Sequence, residues 1–267
     1  MTTTWSRVTR TEPCKVCNKS DWCTIAADGS ACCMRVESTR PMKNGGWLHA
    51  VGRSPGQAFV ARQQVVEQPA IDAASLIGHW LFTTTAEQVA ALALLLHVAA
   101  SSLTGLHAAM AVEHRAWAFP MYDGQGAIVG VRLRNMDGEK WAVKGSRTGI
   151  FIPTVCPQDV AFVCEGPTDT AAALTLGYFA LGRPSCSSGI REVRSTCLRL
   201  GVRRVVVVSD NDAPGMRGAA KAVDEIGLPA KIYIPPTKDI RAGVAAGLTR
   251  AMVESSLRDQ LWRMHGR

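Results

Sequence analysis

Four acidic side chains in the second half of the chain could do chemistry: Glu165, Asp210, Asp212 and Asp239. Glu165 closes an apolar run at 160–164, and Asp210 and Asp212 follow a β-branched run at 205–208. Lys238 and Asp239 follow a third strand-like run at 230–234. Paired acids at the end of a buried strand repel each other unless a cation or a long basic side chain offsets them. Together with Glu165 they offer the oxygen ligands that a hard divalent cation such as Mg²⁺ takes and shares with phosphates. Such a set supports metal-dependent phosphoryl transfer. The plainer reading of Asp210-Asn211-Asp212-Ala213-Pro214-Gly215 is a turn, because turns use these residue types. Glu165, at the end of a separate run, favours the metal.

For these acids to meet, the runs must be neighbouring strands. Charge-free runs separated by helical segments read as parallel strands buried on both faces of an α/β sheet. Ligands of such sheets sit beyond the carboxyl ends of the strands, where all four acids emerge. Residues 168–177 fit a helix with Thr168 or Asp169 near its N-terminus. Asp169 reads first as a cap and second as a carboxylate behind the site. Residues 218–226 fit another helix, and 244–267 one or two more. Arg191, Arg194 and Arg199 fall on or near one helix face, which suits nucleic acid or solvent equally.

A second constellation lies near the N-terminus. Of nine cysteines, five crowd into positions 14–33. Cys14 and Cys17 form a CxxC knuckle, which turns two thiolates toward one cation. Cys23 and either Cys32 or Cys33 complete a tetrahedral Cys₄ zinc site, with Asp28-Gly29 as the hairpin turn between the last two ligands. An Fe–S cluster or free thiols are the competing readings. A closed thiolate site is the usual way to fold a short, core-poor segment. Lys15, Lys19, Arg35 and Arg40 add charge. Trp22 and Trp47 either stack on bases or cover the zinc site.

Between these regions, residues 116–153 read as a strand-rich segment with turns at 123–126 and 137–138. Arg132 and Arg134 alternate in V-R-L-R and share one face. Lys140 and Lys144 are four apart and also share a face in an extended strand. A sheet face bearing Arg132, Arg134, Lys140 and Lys144 is either solvated or a cradle for phosphates. Residues 50–70 read as a linker, and 71–112 as mostly buried helix with Ser101 or Ser102 capping its last segment.

The bulk numbers agree. The chain has 267 residues, 47% hydrophobic and 19% charged, which allows real cores and excludes global disorder. The net charge is +8 and favours a polyanionic partner, nucleic acid above all. No secretory leader is read at the N-terminus, so the cysteine cluster points to metal in a cytoplasmic chain rather than to disulfides. Residues 89–112 carry no Asp, Glu, Lys or Arg. His97, Ser101, Ser102, Thr104, Gly105 and His107 break that stretch, so two short buried helices are expected and no membrane contact.

The run E-G-P-T-D, then D-N-D-A-P-G-M-R-G-A-A-K-A, then K-D resembles the Toprim catalytic fold of primases and topoisomerases. Zinc ribbon, basic subdomain and Toprim follow one another as in phage and plasmid-type DNA primases. G-V-R-L-R-N with K-W-A-V-K-G-S is similar to the basic strand region before Toprim in those primases. C-K-V-C, D-W-C and C-M-R-V, with G-G-W-L-H after them, are similar to their zinc-binding segment. The resemblance covers most of the chain and implies an α/β fold, a Toprim-type parallel sheet with helices. A small basic mainly-β subdomain and an N-terminal zinc ribbon would precede it.

It implies roles for single residues as well. Glu165 matches the lone Toprim glutamate, a metal ligand or general acid/base. Asp210 and Asp212 match the Asp-x-Asp ligands of Mg²⁺ or Mn²⁺, and Asp239 a further acid. Arg134, Lys140 and Lys144 match positions that contact template or nucleotide; Arg132 and Lys238 are read with them. Cys33 becomes the fourth zinc ligand. Pro214 stands where topoisomerases of this fold carry another acid, which argues against strand passage. Arg241 stands where many primases carry a second acid after the one matched by Asp239, which leaves the number of catalytic metals open.

The implied activity is synthesis of short RNA primers on single-stranded DNA from nucleoside triphosphates, in the cytoplasm of a bacterial host carrying a phage or plasmid. No G-x-x-x-x-G-K-[ST] loop is read in the chain, so no fused helicase motor is expected and a separate replicative helicase is the expected partner; no sizeable helicase-binding domain is expected after the Toprim region. The alternatives are a Toprim nuclease and a non-catalytic DNA-binding adaptor. The expected layout is zinc ribbon 1–50, linker 51–70, helical segment and basic subdomain 71–156, Toprim 157–240, and helical tail 241–267.

Overall fold

The computed structural model describes residues 5–42, 45–50 and 71–263. The linker expected at 51–70 lies outside the described residues. The chain divides into two units, 1–67 and 68–267.

In the first unit, β1 (Trp5–Arg7), β2 (Thr24–Ala26), β3 (Ala31–Cys33) and β4 (Trp47–His49) form an antiparallel sheet in that order. The β2–β3 hairpin closes through Gly29 N–H to the Ala26 carbonyl, as the Asp-Gly pair foretells. Its small core is built from Val8, Ile25, Ala31 and the thiols of Cys14, Cys23 and Cys33.

The second unit opens with three helices, α1 (Ala73–Thr83), α2 (Ala86–Leu96) and α3 (Ala100–Gly105). Asp72 caps α1 by accepting from Ser75 N–H, and Thr85 with Gln88 forms a capping box on α2. The expected serine cap on α3 is absent: Ala99 precedes the helix, and its N–H donates to Thr175 Oγ1 at 2.9 Å. An oxygen distant in sequence thus takes the place of a local cap. Among the described residues no helix is long and apolar enough to cross a membrane.

An antiparallel sheet follows: β5 (Ala109–Ala111), β6 (Ala116–Tyr122), β7 (Ile128–Asn135) and β8 (Lys140–Ala142), in that order. Helix α1 packs on it through Ile77 and Trp80 against Ala109, Ala118, Val131 and Leu133.

The parallel sheet holds β9 (Val160–Glu165), β10 (Phe179–Arg183), β11 (Arg204–Val208) and β12 (Ala230–Tyr233), ordered β10-β9-β11-β12. Helices α4 (Gly166–Thr175), α5 (Ile190–Leu200) and α6 (Ala213–Ile226) connect them; α7 (Ile240–Ala245) and α8 (Arg250–Arg258) follow. Alternation assigns the two faces. Ala161, Val163, Val205, Val207, Phe179 and Leu181 meet α5 and α6 through Val193, Cys197, Val223 and Ile226. Phe162, Cys164, Val206, Val208 and Ala180 belong to the other core, with residues of α2, α3, α4 and α8. Both faces are covered, which is why the central strands β9 and β11 carry no charge between their ends.

Candidate active site

The connection from β9 runs to β10 on one side, and that from β11 runs to β12 on the other. The switch point of the sheet therefore lies between β9 and β11, where α/β folds leave a crevice for ligand. Glu165 ends β9, and Asp210 and Asp212 follow β11. Gly166 lets the chain turn at once from strand into helix, with φ at +78°, a left-handed value that glycine adopts without strain. Glu165 is itself the N-cap of α4, which begins at Gly166 rather than at the expected 168.

Asp212 caps α6, its Oδ1 accepting from Gly215 N–H at 2.7 Å. Asp239 caps α7 in the same way, accepting from Ala242 N–H at 2.7 Å. The Asn211 N–H donates to the Lys238 carbonyl at 2.8 Å and ties the two acid-bearing loops together. Gly215 leaves room for this: a Cβ there would come within 2.6 Å of the Asp210 carbonyl oxygen and 2.9 Å of its Cβ.

The acids feel one another. Burial pushes the Glu165 carboxyl above its ordinary value; Asp210 and Asp212 add to this, while Arg183 and Lys140 oppose it. Burial raises Asp210 too, reinforced by Asp239 and Asp212 and opposed by Lys140 and Lys238. Asp169 is 7% exposed and is pushed up to about 7, by burial first and then by Asp239 and Asp210. Its Oδ1 is buried without a hydrogen-bond partner.

The cations come from several elements. Arg134 on β7 and Lys140 on β8 are register partners. Burial lowers the Arg134 guanidinium, with Arg241 adding and Asp169 and Asp239 opposing. Arg241 Nη2 lies 3.9 Å from Asp239 Oδ2. Arg132 shares the Arg134 face two residues earlier on β7. Lys144 does not join them on the strand, because β8 ends at Ala142 and Lys144 sits in the turn beyond it. Sequence reasoning missed Arg183 as a neighbour of the acids, since its place depends on the β9–β10 register.

The donor set fits a hard dication. It is all oxygen, it carries an orphaned buried carboxylate atom, and its carboxyls are raised by burial and then by one another's charge, which a cation would offset. The carboxylates do not converge as tightly as the thiols: among the described residues the Cys₄ set alone draws three or more ligand atoms within 4.8 Å of one another. A cavity of about 350 Å³ lies elsewhere, lined by Val160, Phe162, Tyr178, Val206, Leu257 and Trp262, and none of these acids borders it.

In the first unit the four thiols are Cys14, Cys17, Cys23 and Cys33. Tetrahedral Zn–S bonds set sulfurs about 3.8 Å apart; Cys23 Sγ lies 3.7 Å from Cys17 Sγ and 4.0 Å from Cys33 Sγ. Backbone N–H groups of Met34 and Val36 donate to Cys23 and Cys33 sulfur. Burial works to raise the Cys17 thiol, but the Lys19 N–H and the neighbouring thiols bring it down to about 7. Burial and its neighbours push Cys23 up to about 12. Four thiols this close cannot all ionise without a dication, and the set fits structural zinc.

No protein-family model and no curated protein matches the chain. Solved structures match in fold. The DnaG catalytic core is similar over 71% of this chain and 79% of its own, at 12% identity and a TM-score of 0.55. A DnaG primase catalytic domain bound to ssDNA matches over 71% and 80%, at 12% identity and 0.55. The E. coli primase catalytic core matches over 68% and 78%, at 11% identity and 0.53. At these identities the likeness is one of fold: the chain has the mixed α/β architecture of a primase Toprim core, with a Cys₄ cluster near its N-terminus.

Proposed function

We propose that the chain is a DNA primase of the phage or plasmid type, which joins ribonucleoside triphosphates into short primers on single-stranded DNA. The observation that carries the reading is the placing of Glu165, Asp210 and Asp212 at one edge of the sheet, at its switch point, with Lys140 of the neighbouring sheet among the charges that act on Glu165 and Asp210 and Arg134 among those near Asp169 and Asp239. The likeness of fold to primase catalytic cores supports it.

In the proposed reaction a nucleotide 3′-hydroxyl attacks the α-phosphate of a bound triphosphate. A P–O bond forms, the α–β anhydride breaks, the hydroxyl proton is lost and pyrophosphate leaves. Mg²⁺ or Mn²⁺, when bound, would stabilise charge on the reacting oxygens. Asp210 and Asp212 would hold it, with Glu165 and Asp239 completing the set. Arg134, Lys140 and Lys238 would carry the triphosphate and template phosphates, and Arg132 and Lys144 the template further out. These groups work by positioning and electrostatics. The zinc-bearing unit would select the template start, and a separate helicase would deliver the strand.

Denaturing-gel analysis of single-stranded DNA incubated with labelled nucleoside triphosphates and Mg²⁺ or Mn²⁺ tests the reading. Short labelled oligomers, absent with Asp210→Ala, are expected. Shortened DNA would point to a nuclease; intact DNA without oligomers would point to a binding adaptor.

A further inference from the structure

A charged side chain lies buried beside the acids. Arg183 ends β10 and is the register partner of Glu165 at the end of β9. Register partners on parallel strands project from the same face of the sheet. Arg183 is 2% exposed. Its Nη1 donates to the Cys186 carbonyl at 2.9 Å, while its Nε is buried without a partner. Among the described residues it forms no ion pair within contact distance; burial lowers its guanidinium, and Glu165 is the first of the charges that oppose this, with Asp210 among the others. Burying a guanidinium is costly unless charge nearby repays it. The acids supply that charge.

We propose that Arg183 is the resident counter-charge of the carboxylate edge. Its charge stands against Glu165 and Asp210 when no divalent cation is bound, and weakens the hold on the cation when one is. Arg183 is thus a positioning residue acting through the acids, and it keeps the bound cation exchangeable. Five acids, Glu165, Asp169, Asp210, Asp212 and Asp239, share the edge with Arg134, Lys140, Arg183, Lys238 and Arg241. Arg183 is the one of these cations on the parallel strand beside Glu165. The inference rests on reading this edge as a cation site, and its tests do not require primer synthesis.

The first test is Mn²⁺ binding to the full zinc-loaded chain, read by electron paramagnetic resonance. Arg183→Gln should bind Mn²⁺ on the order of ten-fold more tightly than wild type, by the charge removed from the neighbourhood of a dication. Arg183→Lys, which keeps the charge, should stay near wild type. Unchanged or weaker binding in folded Arg183→Gln would overturn the proposal, because a merely structural role predicts loss. The second test is a thermal-stability cycle in the absence of divalent cation. Glu165→Gln should restore part of the melting temperature that Arg183→Gln loses, since removing both partners costs less than stranding one. Simple additivity, or failure of the double variant to fold where Arg183→Gln also fails, would overturn it. If wild type binds no Mn²⁺, the reading of the edge fails, while the cycle still decides whether Arg183 and Glu165 are coupled.

Discussion

Cys32 and Cys33 are adjacent on β3 and face opposite ways: Cys33 Sγ joins the thiol cluster, while Cys32 Sγ lies 3.7 Å from the Gly45 carbonyl oxygen. Strand alternation forces the split. Cys33→Ser should therefore lose zinc and unfold the first unit, whereas Cys32→Ser should keep one zinc per chain. Metal content by atomic emission after dialysis, with circular dichroism, checks both.

In the proposed site Asp210 and Asp212 are the cation's principal ligands. Asp210→Asn and Asp212→Asn should each cut primer synthesis by about a hundred-fold or more, without lowering the melting temperature. The raised Asp210 carboxyl implies that its charge is held at a cost in the cation-free protein. A melting temperature equal to or above wild type, with synthesis gone, is the expected pair of results.

Asp169 gives a pH dependence with a definite sign. Burial pushes it from 3.8 up to about 7 in the folded chain. The folded state keeps a proton that the unfolded chain releases near pH 4, so stability falls as pH rises between about 4 and 7. Asp169→Asn removes this loss. Without divalent cation, the variant's melting temperature should gain on wild type through that window and the gap should level off above it. A gap that does not change with pH would contradict the burial argument.

Gly215 sits in the first turns of α6, where alanine is ordinarily worth about 0.5–1 kcal/mol over glycine. The approach of Asp210 reverses the sign, because a Cβ would meet its carbonyl oxygen at 2.6 Å. Gly215→Ala should destabilise the chain by about 1–3 kcal/mol. Chemical denaturation reads it, and a stabilised variant would show that the loop yields freely.

Much of this was legible in the chain. The runs at 160–164 and 205–208 lack charge because both faces of their sheet are covered, and that absence also announced the acids at their ends. The cysteine spacing announced the thiol cluster but left Cys32 and Cys33 open; resemblance pointed to Cys33, and the way β3 faces makes it the fourth thiol. Other features depend on partners far along the chain. Thr175 serves the start of α3 across more than seventy residues, so no local signal marks it. Arg183 reads as one more arginine in a basic stretch until the β9–β10 register sets it opposite Glu165. Lys144 lies off the strand because β8 stops at Ala142, and four-residue spacing carries no information about where a strand ends.

The most direct test of primer synthesis follows the label of a γ-labelled nucleoside triphosphate on a single-stranded template with Mg²⁺ or Mn²⁺. Synthesis begun without a pre-existing strand keeps the γ-phosphate on the first nucleotide. Labelled oligomers are expected from the wild-type chain and none from Asp210→Asn. Oligomers that carry only α-label and require an added 3′-hydroxyl would contradict this, as would equal yields from both proteins.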